Sequence, residues 1–467
     1  MSGLDASFYL LENESTPLHV ASLIVFEGPP PSYGEVIRQF DGRLDLVPRY
    51  RQRVRSVPLH LGRPVWVDDP HFDVRHHVRH AALPSPGTDR QLRDLAGRVL
   101  ARRLDPGKPL WEVWLVEGLA GGRWALIAKV HHCMVDGVAG MDLMTVMFDL
   151  GPEYEAPAGP GDGRRRDWEP EPAPSSADLL LDAARQGTFR PVQRLGGLAR
   201  GAGLVRNARQ LSTFALGLAR ATARFTRPSA GSLNGPIGPH RRWCWQRVAL
   251  EEVKEIRASA GGTVNDVVLA AVTAGYRDLL NARGVLTEGT VVRSAVPVSV
   301  RADGERGELN NRVAAVFVNL PAGVADPLER LRLIREQTDD VKRSNQAAGT
   351  RTLTRLTDAA AAPALLSLVA RAPVRLRQDL VQTVTTNVPG PGFPLYVMGR
   401  RVLAVHPYVP LTGGIRVATA IVSYCGRLHF GITGDFEAMP DLEILAKGVR
   451  GGIDELRSPA RAGSMSE

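Results

Sequence analysis

A chain of 467 residues exceeds what one compact core holds, since single cores stop growing near ~250–300 residues, so two domains are expected. Apolar residues make up 44% and charged residues 23%, which excludes wholesale disorder, and three scattered cysteines (Cys133, Cys244, Cys425) exclude a disulfide framework and fit a reducing compartment. The net charge of +9 comes almost wholly from arginines spread along a Gly- and Pro-rich chain, a pattern that GC-rich coding produces by itself. No zinc finger, helix-turn-helix or RNA-recognition signature accompanies the charge, so no nucleic-acid partner is expected.

The opening MSGLDASFYLLENESTPLHV carries Asp5, Glu12 and Glu14 ahead of any basic residue, unlike a secretory signal. His19–Glu27 reads as a buried strand. Ser32 is an N-cap for a helix over Tyr33–Phe40, and Thr88 with Gln91 opens a capping box for a helix ending near Arg103. The stretch from His71 to His80 alternates like an exposed polar strand. Its four histidines lack carboxylate or cysteine partners at ligand spacing, so no metal is expected there. Trp111–Glu117 and Arg123–Val130 read as two strands joined by a Gly-rich turn.

From Gly151 to Pro174 the chain is dense in Pro, Gly and charge and reads as a linker. Leu180–Arg227 holds nine arginines among Leu, Ala, Val and Phe, with Asp182 as its one acidic residue. It reads either as an amphipathic segment for an anionic lipid surface or as a solvated linker. The best apolar window, Ala359–Ala370, is broken by Pro363, so no spanning helix is expected. The organisation that follows is an N-terminal domain over 1–150, a linker and basic segment over 151–235, and a C-terminal domain over 236–467. The second domain shows strands near Trp243, Val291–Val300, Arg312–Leu320, Val381–Thr386, Tyr396–Val405, Ile415–Tyr424 and Leu428–Thr433. Helices are expected over Glu251–Ala260, from Thr263 onward and over Pro327–Ser344. The order is mixed α/β, with strands too irregularly spaced for a barrel or a strict βαβ series.

No nucleophile elbow, Walker loop, dinucleotide-binding glycine motif or zincin motif is present. The positive signal is HHCMVDG, residues 131–137, placed where an apolar strand runs into a turn closed by Gly137. An imidazole on such a rigid support suits deprotonation of a hydroxyl during acyl transfer. An activated thioester donor needs no nucleophilic serine or cysteine, so direct transfer is expected. Cys133 points away from the face of its neighbours and is not the expected nucleophile.

These residues resemble the bacterial wax ester synthase/diacylglycerol acyltransferases. The similarity runs nearly end to end: SGLDASFYLLE at the start, PLW at 109–111, HHCMVDG, TVNDVVLA at 263–270, VPVSVR at 296–301 and TTNVPGP at 385–391. The resemblance implies two chloramphenicol-acetyltransferase-like domains of mixed α/β fold with the active-site tunnel between them. It implies His132 as general base with His131 beside it, and Asp136 turned away to pair with an arginine, for which Arg51 is the candidate. Asn265 and Asp266 would organise the opposite wall. Asn265 is either an oxyanion donor or a helix-capping residue, and Asn387 either lines the tunnel or serves the turn after it. The implied substrates are acyl-CoA and a diacylglycerol or long-chain alcohol, with no metal or organic cofactor. The implied location is cytoplasmic, at the surface of the inner membrane or of lipid droplets. Two rivals share the fold: a condensation-type enzyme using carrier-bound thioesters, and a non-catalytic lipid-surface protein.

Overall fold

The computed structural model describes residues 1–134, 148–154, 168–185, 231–299, 313–347 and 381–464. The chain opens with helix α1 (Gly3–Leu11), N-capped by Ser2, whose Oγ accepts the Asp5 amide at 3.1 Å. The first half continues through β1 (His19–Phe26), α2 (Tyr33–Asp41), β2 (Gln52–Arg55), β3 (Val65–Asp68), α3 (Val74–His77), β4 (Val78–Ala82), α4 (Asp89–Ala101), β5 (Trp111–Leu119) and β6 (Arg123–His131). The expected capping box of Thr88 with Gln91 forms on α4, and the expected N-cap Ser32 makes a full capping box with Glu35 on α2. Each satisfies donors that a helix start otherwise leaves orphaned.

The stretch 71–80 departs from the expected exposed strand. Asp73 accepts the Arg75 amide at 2.9 Å and so caps a one-turn helix, leaving only Val78–Ala82 as strand. His77 is buried, donates from Nδ1 to the Trp111 carbonyl at 2.9 Å and stacks on the Trp111 ring. Among the described residues no cluster of three or more His, Cys, Asp or Glu side chains could hold a metal ion.

After α5 (Ser176–Arg185) come β7 (Arg241–Ala249), α6 (Leu250–Ala260), α7 (Val264–Ala282), β8 (Val292–Ser299), β9 (Val313–Leu320), α8 (Pro327–Ala347) and β10 (Thr383–Val388). Then follow β11 (Tyr396–Val397), β12 (Arg400–Tyr408), β13 (Val417–Tyr424), β14 (Arg427–Asp435) and α9 (Leu442–Ser464). The single strand expected over Tyr396–Val405 is instead a hairpin. Met398 and Gly399 both take positive φ, 51° and 75°, which is the geometry of a tight two-residue turn.

The strands form two six-stranded sheets, ordered β11-β12-β1-β6-β5-β4 and β7-β14-β13-β10-β8-β9. The first sheet thus takes two strands from residues 396–408, late in the region expected to form the C-terminal domain. One face of it packs Leu23, Val25, Ala125 and Ile127 against Leu92, Ala96, Val99 and Leu100 of α4. The other packs Phe26, Trp124 and Leu126 against Val36 and Phe40 of α2. The second sheet covers α7, whose residues from Asp266 to Tyr276 are all buried. Full burial of each Leu, Val or Ile in these layers contributes ~1.5–3 kcal/mol.

The halves meet along a close seam. A Cβ on Gly97 of α4 would lie 2.9 Å from the Arg241 carbonyl of β7, and one on Gly431 of β14 would lie 1.6 Å from the Pro407 carbonyl of β12. Backbone contact at those points leaves room for glycine alone.

Candidate active site

Strand β6 lies between β1 and β5, and its last residues carry the histidine pair out of the sheet. The His131 amide donates to the Leu110 carbonyl and the His132 amide to the Leu18 carbonyl, each at 2.9 Å. The turn His132–Met134 that follows is therefore held from both neighbouring strands. Leu110 belongs to the PLW block, and the adjacent Trp111 fixes its indole by donating to the Tyr50 carbonyl at 2.8 Å. The block's place in the sequence pattern has a mechanical reason: it anchors the histidine turn.

The two imidazoles differ in kind. His131 is wholly buried, and its Nδ1 accepts the Cys133 amide at 3.1 Å. That nitrogen is therefore unprotonated, and the ring proton sits on Nε2, 3.6 Å from Glu12 Oε1. Burial, with His132 and Arg103 nearby, holds the His131 pKa down to about 3, so this ring stays neutral and supports the turn. Glu12 is itself fixed: Oε1 accepts the Leu18 amide at 3.0 Å and Oε2 takes Arg103 at 2.9 Å.

His132 is half-buried and stacks on Phe8 of α1, with ring centroids 4.0 Å apart and 25° between planes. Desolvation lowers its pKa from the ordinary 6.5, opposed by its own carbonyl and by the Asp5 carboxylate. A neutral imidazole at pH 7 is the form that takes a proton. Among the described residues Nδ1 has no partner on another residue, and the ring's own carbonyl is the acceptor beside it. Cys133 is buried, and desolvation together with Asp5 and Glu12 pushes its thiol well above the usual range, which leaves it without thiolate character.

Asp136 and Gly137 lie outside the described residues. Arg51 is buried; it binds Asp45 at 2.5 Å and lies 5.2 Å over the Trp168 ring. On the second sheet, Asn265 and Asn387 come together, Asn387 Nδ2 donating to Asn265 Oδ1 at 3.4 Å, and both stay partly exposed. Asp266 is spent on structure. Its Oδ2 takes the Thr263 amide at 2.7 Å and hydroxyl at 2.8 Å, and its Oδ1 takes the Thr338 hydroxyl at 2.8 Å.

The sequence reading gave α1 no role, although it lies directly on the histidine turn. Asp5, Phe8, Tyr9 and Glu12 follow the i, i+3, i+4, i+7 spacing of one helix face. Phe8 stacks on His132, and Tyr9 meets His131 edge-on at 6.2 Å. The signal was there in Ser2-x-x-Asp5, the spacing of a helix start.

A groove of about 1140 Å³ runs along the seam between α4 and β7, lined by Arg90, Arg93, Arg98, Arg102, Arg241 and Arg242 among others. His132 is not part of its wall. Arg93 pairs with Glu443 at 3.0 Å, while Arg90 and Arg98 of α4 and Arg102 just beyond its end are exposed.

Comparison with known proteins agrees with this arrangement. Residues 1–268 match the wax ester synthase/diacylglycerol acyltransferase catalytic domain, and residues 309–457 match the C-terminal domain of the same proteins. The chain is 37% identical over 461 residues to a probable diacylglycerol O-acyltransferase, tgs1, of Mycobacterium tuberculosis, covering 98% of this chain and 95% of that one. A shorter mycobacterial relative, the probable diacylglycerol O-acyltransferase tgs3, is 41% identical over 264 residues, covering 55% of this chain and 95% of its own. Among solved structures, the wax ester synthase/diacylglycerol acyltransferase of Marinobacter aquaeolei superposes with a TM-score of 0.70 at 26% identity over 98% of both chains. The starter condensation domain of rhizomide synthetase, solved with C8-CoA, gives 0.57 at 14% identity over 99% of this chain and 94% of its own, a likeness of fold alone. The histidine turn, its anchoring strands and the two-sheet frame therefore belong to a chain that is a member of the wax ester synthase/diacylglycerol acyltransferase family.

Proposed function

We propose that this chain transfers a fatty acyl group from acyl-CoA to the hydroxyl of a diacylglycerol or a long-chain alcohol, forming triacylglycerol or wax ester. The observation that carries the proposal is His132: a half-buried imidazole, neutral at pH 7, held by two backbone anchors at the end of β6. The alcohol oxygen attacks the thioester carbonyl while His132 takes its proton. The carbon–sulfur bond breaks, and the same imidazole returns the proton to the departing thiolate. Both transfers balance on one ring, and no covalent acyl-enzyme is needed. The inert thiol of Cys133 supports direct transfer. Asn265 and Asn387, paired and partly exposed, are suited to donating to the developing oxyanion from a second wall.

The arginine-lined groove suits the phosphates of a CoA donor. Reversing Arg98 and Arg102 to glutamate then raises KM for palmitoyl-CoA at least several-fold and leaves KM for the alcohol unchanged. No helix among the described residues is long and apolar enough to cross a membrane. We place the protein at a membrane or lipid-droplet surface, where both substrates partition, held there by the basic segment 180–227. Unchanged partitioning onto anionic vesicles after deletion of that segment would remove this assignment.

Purified protein is incubated with labelled palmitoyl-CoA and, separately, diacylglycerol and hexadecanol, and the product lipids are identified. Labelled triacylglycerol or wax ester supports the proposal. Release of free palmitate alone, or no turnover, refutes it.

A further inference from the structure

The backbone of His132 is anchored from a neighbouring strand, but its ring is held in another way. The amide donates to the Leu18 carbonyl at 2.9 Å, which places the start of the side chain. Rotation of an imidazole about its Cβ–Cγ bond is a broad torsion, so a backbone anchor leaves the plane of the ring open. A catalytic base is commonly oriented by a third group bonded to its second nitrogen. Here Nδ1 has no partner on another residue among the described residues, and the acceptor beside it is the carbonyl of the same residue, so no second element of the fold holds that nitrogen. The contact that reaches the ring from outside is aromatic. Phe8 of α1 lies against its face, with centroids 4.0 Å and planes 25° apart, and no other ring stacks on His132 among the described residues.

Phe8 is itself well supported. Helix α1 is capped at its start by Ser2 and ends at Glu12, whose Oε1 accepts the Leu18 amide at 3.0 Å and whose Oε2 accepts from Arg103 at 2.9 and 3.1 Å. Leu18 thus ties the two parts together, its amide holding the end of α1 and its carbonyl holding the base. The Phe8 ring is partly buried and packs against the core that contains Trp111, Cys133 and Met134. Helix and histidine turn share one residue as their common reference, which keeps the two rings in register.

We propose that Phe8 is a positioning residue for the base: its ring sets the plane of the His132 imidazole and with it the direction in which the proton-accepting nitrogen meets the substrate hydroxyl. The inference rests on the acyl-transfer reading for its chemistry and on the stacked rings for its geometry. Phe8 takes no proton and makes no bond. Its effect is on alignment, where a misplacement of about 1 Å costs up to ~100-fold in rate. It also bears on the charge that forms. When the alcohol proton reaches the ring, the imidazolium lies over the electron-rich face of the Phe8 ring, a contact that strengthens as the charge appears. The stack therefore gains in the same step in which the base acts.

The test compares Phe8→Leu, which fills the space without a ring, with Phe8→Tyr, which keeps the ring. Phe8→Leu should lower kcat roughly 10- to 100-fold, with KM for palmitoyl-CoA and for the alcohol each within about twofold. Phe8→Tyr should hold kcat within about threefold of the wild type. Equal losses in the two variants, or a Phe8→Leu that keeps its kcat, overturn the proposal. A rise in KM at unchanged kcat overturns it too, since Phe8 is then a wall of the substrate site. Should Phe8→Leu not fold, ring-current shifts in the full-length protein labelled with 13C-histidine decide. The His132 ring protons, assigned by their loss in His132→Ala, must lie upfield of their positions in the urea-unfolded chain. Signals at the unfolded positions overturn the proposal. Wild-type protein inactive on every alcohol would strike the acyl-transfer reading, and the labelled ring would still report whether Phe8 covers it.

Discussion

Helices α1 and α7 begin with the same kind of pairing, a hydroxyl residue followed three positions later by aspartate, and they use it differently. At α7, Thr263 and Thr338 consume both oxygens of Asp266, and the residue is sealed beneath the second core. At α1, Ser2 takes one oxygen of Asp5, and the other is buried without a partner among the described residues. One helix start is complete and so serves stability. The other opens a helix whose Phe8 stacks on His132, and so serves the site. The same local motif thus serves different ends according to what its helix packs against.

The contrast can be broken experimentally. His132→Ala should lower the acyl-transfer rate by about two to four orders of magnitude with the melting temperature nearly unchanged, because the base is removed from a half-exposed position. Steady-state kinetics beside thermal unfolding would check this, and a large fall in stability would count against the division. Asp266→Ala should do the opposite. It deletes a cap and strands two hydroxyls, costing ~2–4 kcal/mol, and urea unfolding should show it while the surviving folded fraction keeps its kcat.

Acid should act on the frame and on the base in separable ways. His77 and His429 have pKa values held down to about 4 by burial, and His19 and His406 lie well below 6.5 for the same reason. The unfolded chain therefore binds more protons than the folded one between about 4 and 6.5. Stability is full above that window and falls as pH drops through it. Melting temperature against pH should show the fall, whereas kcat/KM for His132 should hold its plateau from neutrality down to below pH 6.5. The smallest effect belongs to Cys133→Ser. The buried thiol takes no part in transfer, so the change in kcat should stay within about threefold. A loss as large as that of His132→Ala would reinstate a covalent route.

Much of the frame was legible because local signals and tertiary structure agree. Ser32, Thr88 and Thr263 each announce a helix that forms where the spacing places it. The HHCM turn could be located because an apolar strand leads into it. What the sequence hid is non-local. The hairpin at Tyr396–Tyr408 has strand composition wherever it pairs, and nothing in its residues says that it joins the first sheet. The helix at 74–77 was concealed by alternation; one aspartate cap outweighed the period of four residues. Phe8 carries no local sign of its place at the site, since the ring it stacks on lies far along the chain. Arg51 pairs with Asp45, and its expected partner Asp136 lies outside the described residues.

The place of β12 beside β1 has a consequence for synthesis of the chain. Strand β1 pairs with β6 on one side early, but its other side waits for Arg400–Tyr408, almost four hundred residues later. Throughout translation the nascent chain therefore carries an open edge with Leu23, Ile24 and Val25 along it, the kind of template on which neighbouring polysomal chains mispair. Efficient production should depend on a chaperone that shields this edge until the ribosome has nearly finished, and severing the gene near its midpoint should yield an insoluble first half that the second half, supplied in the same cell, rescues.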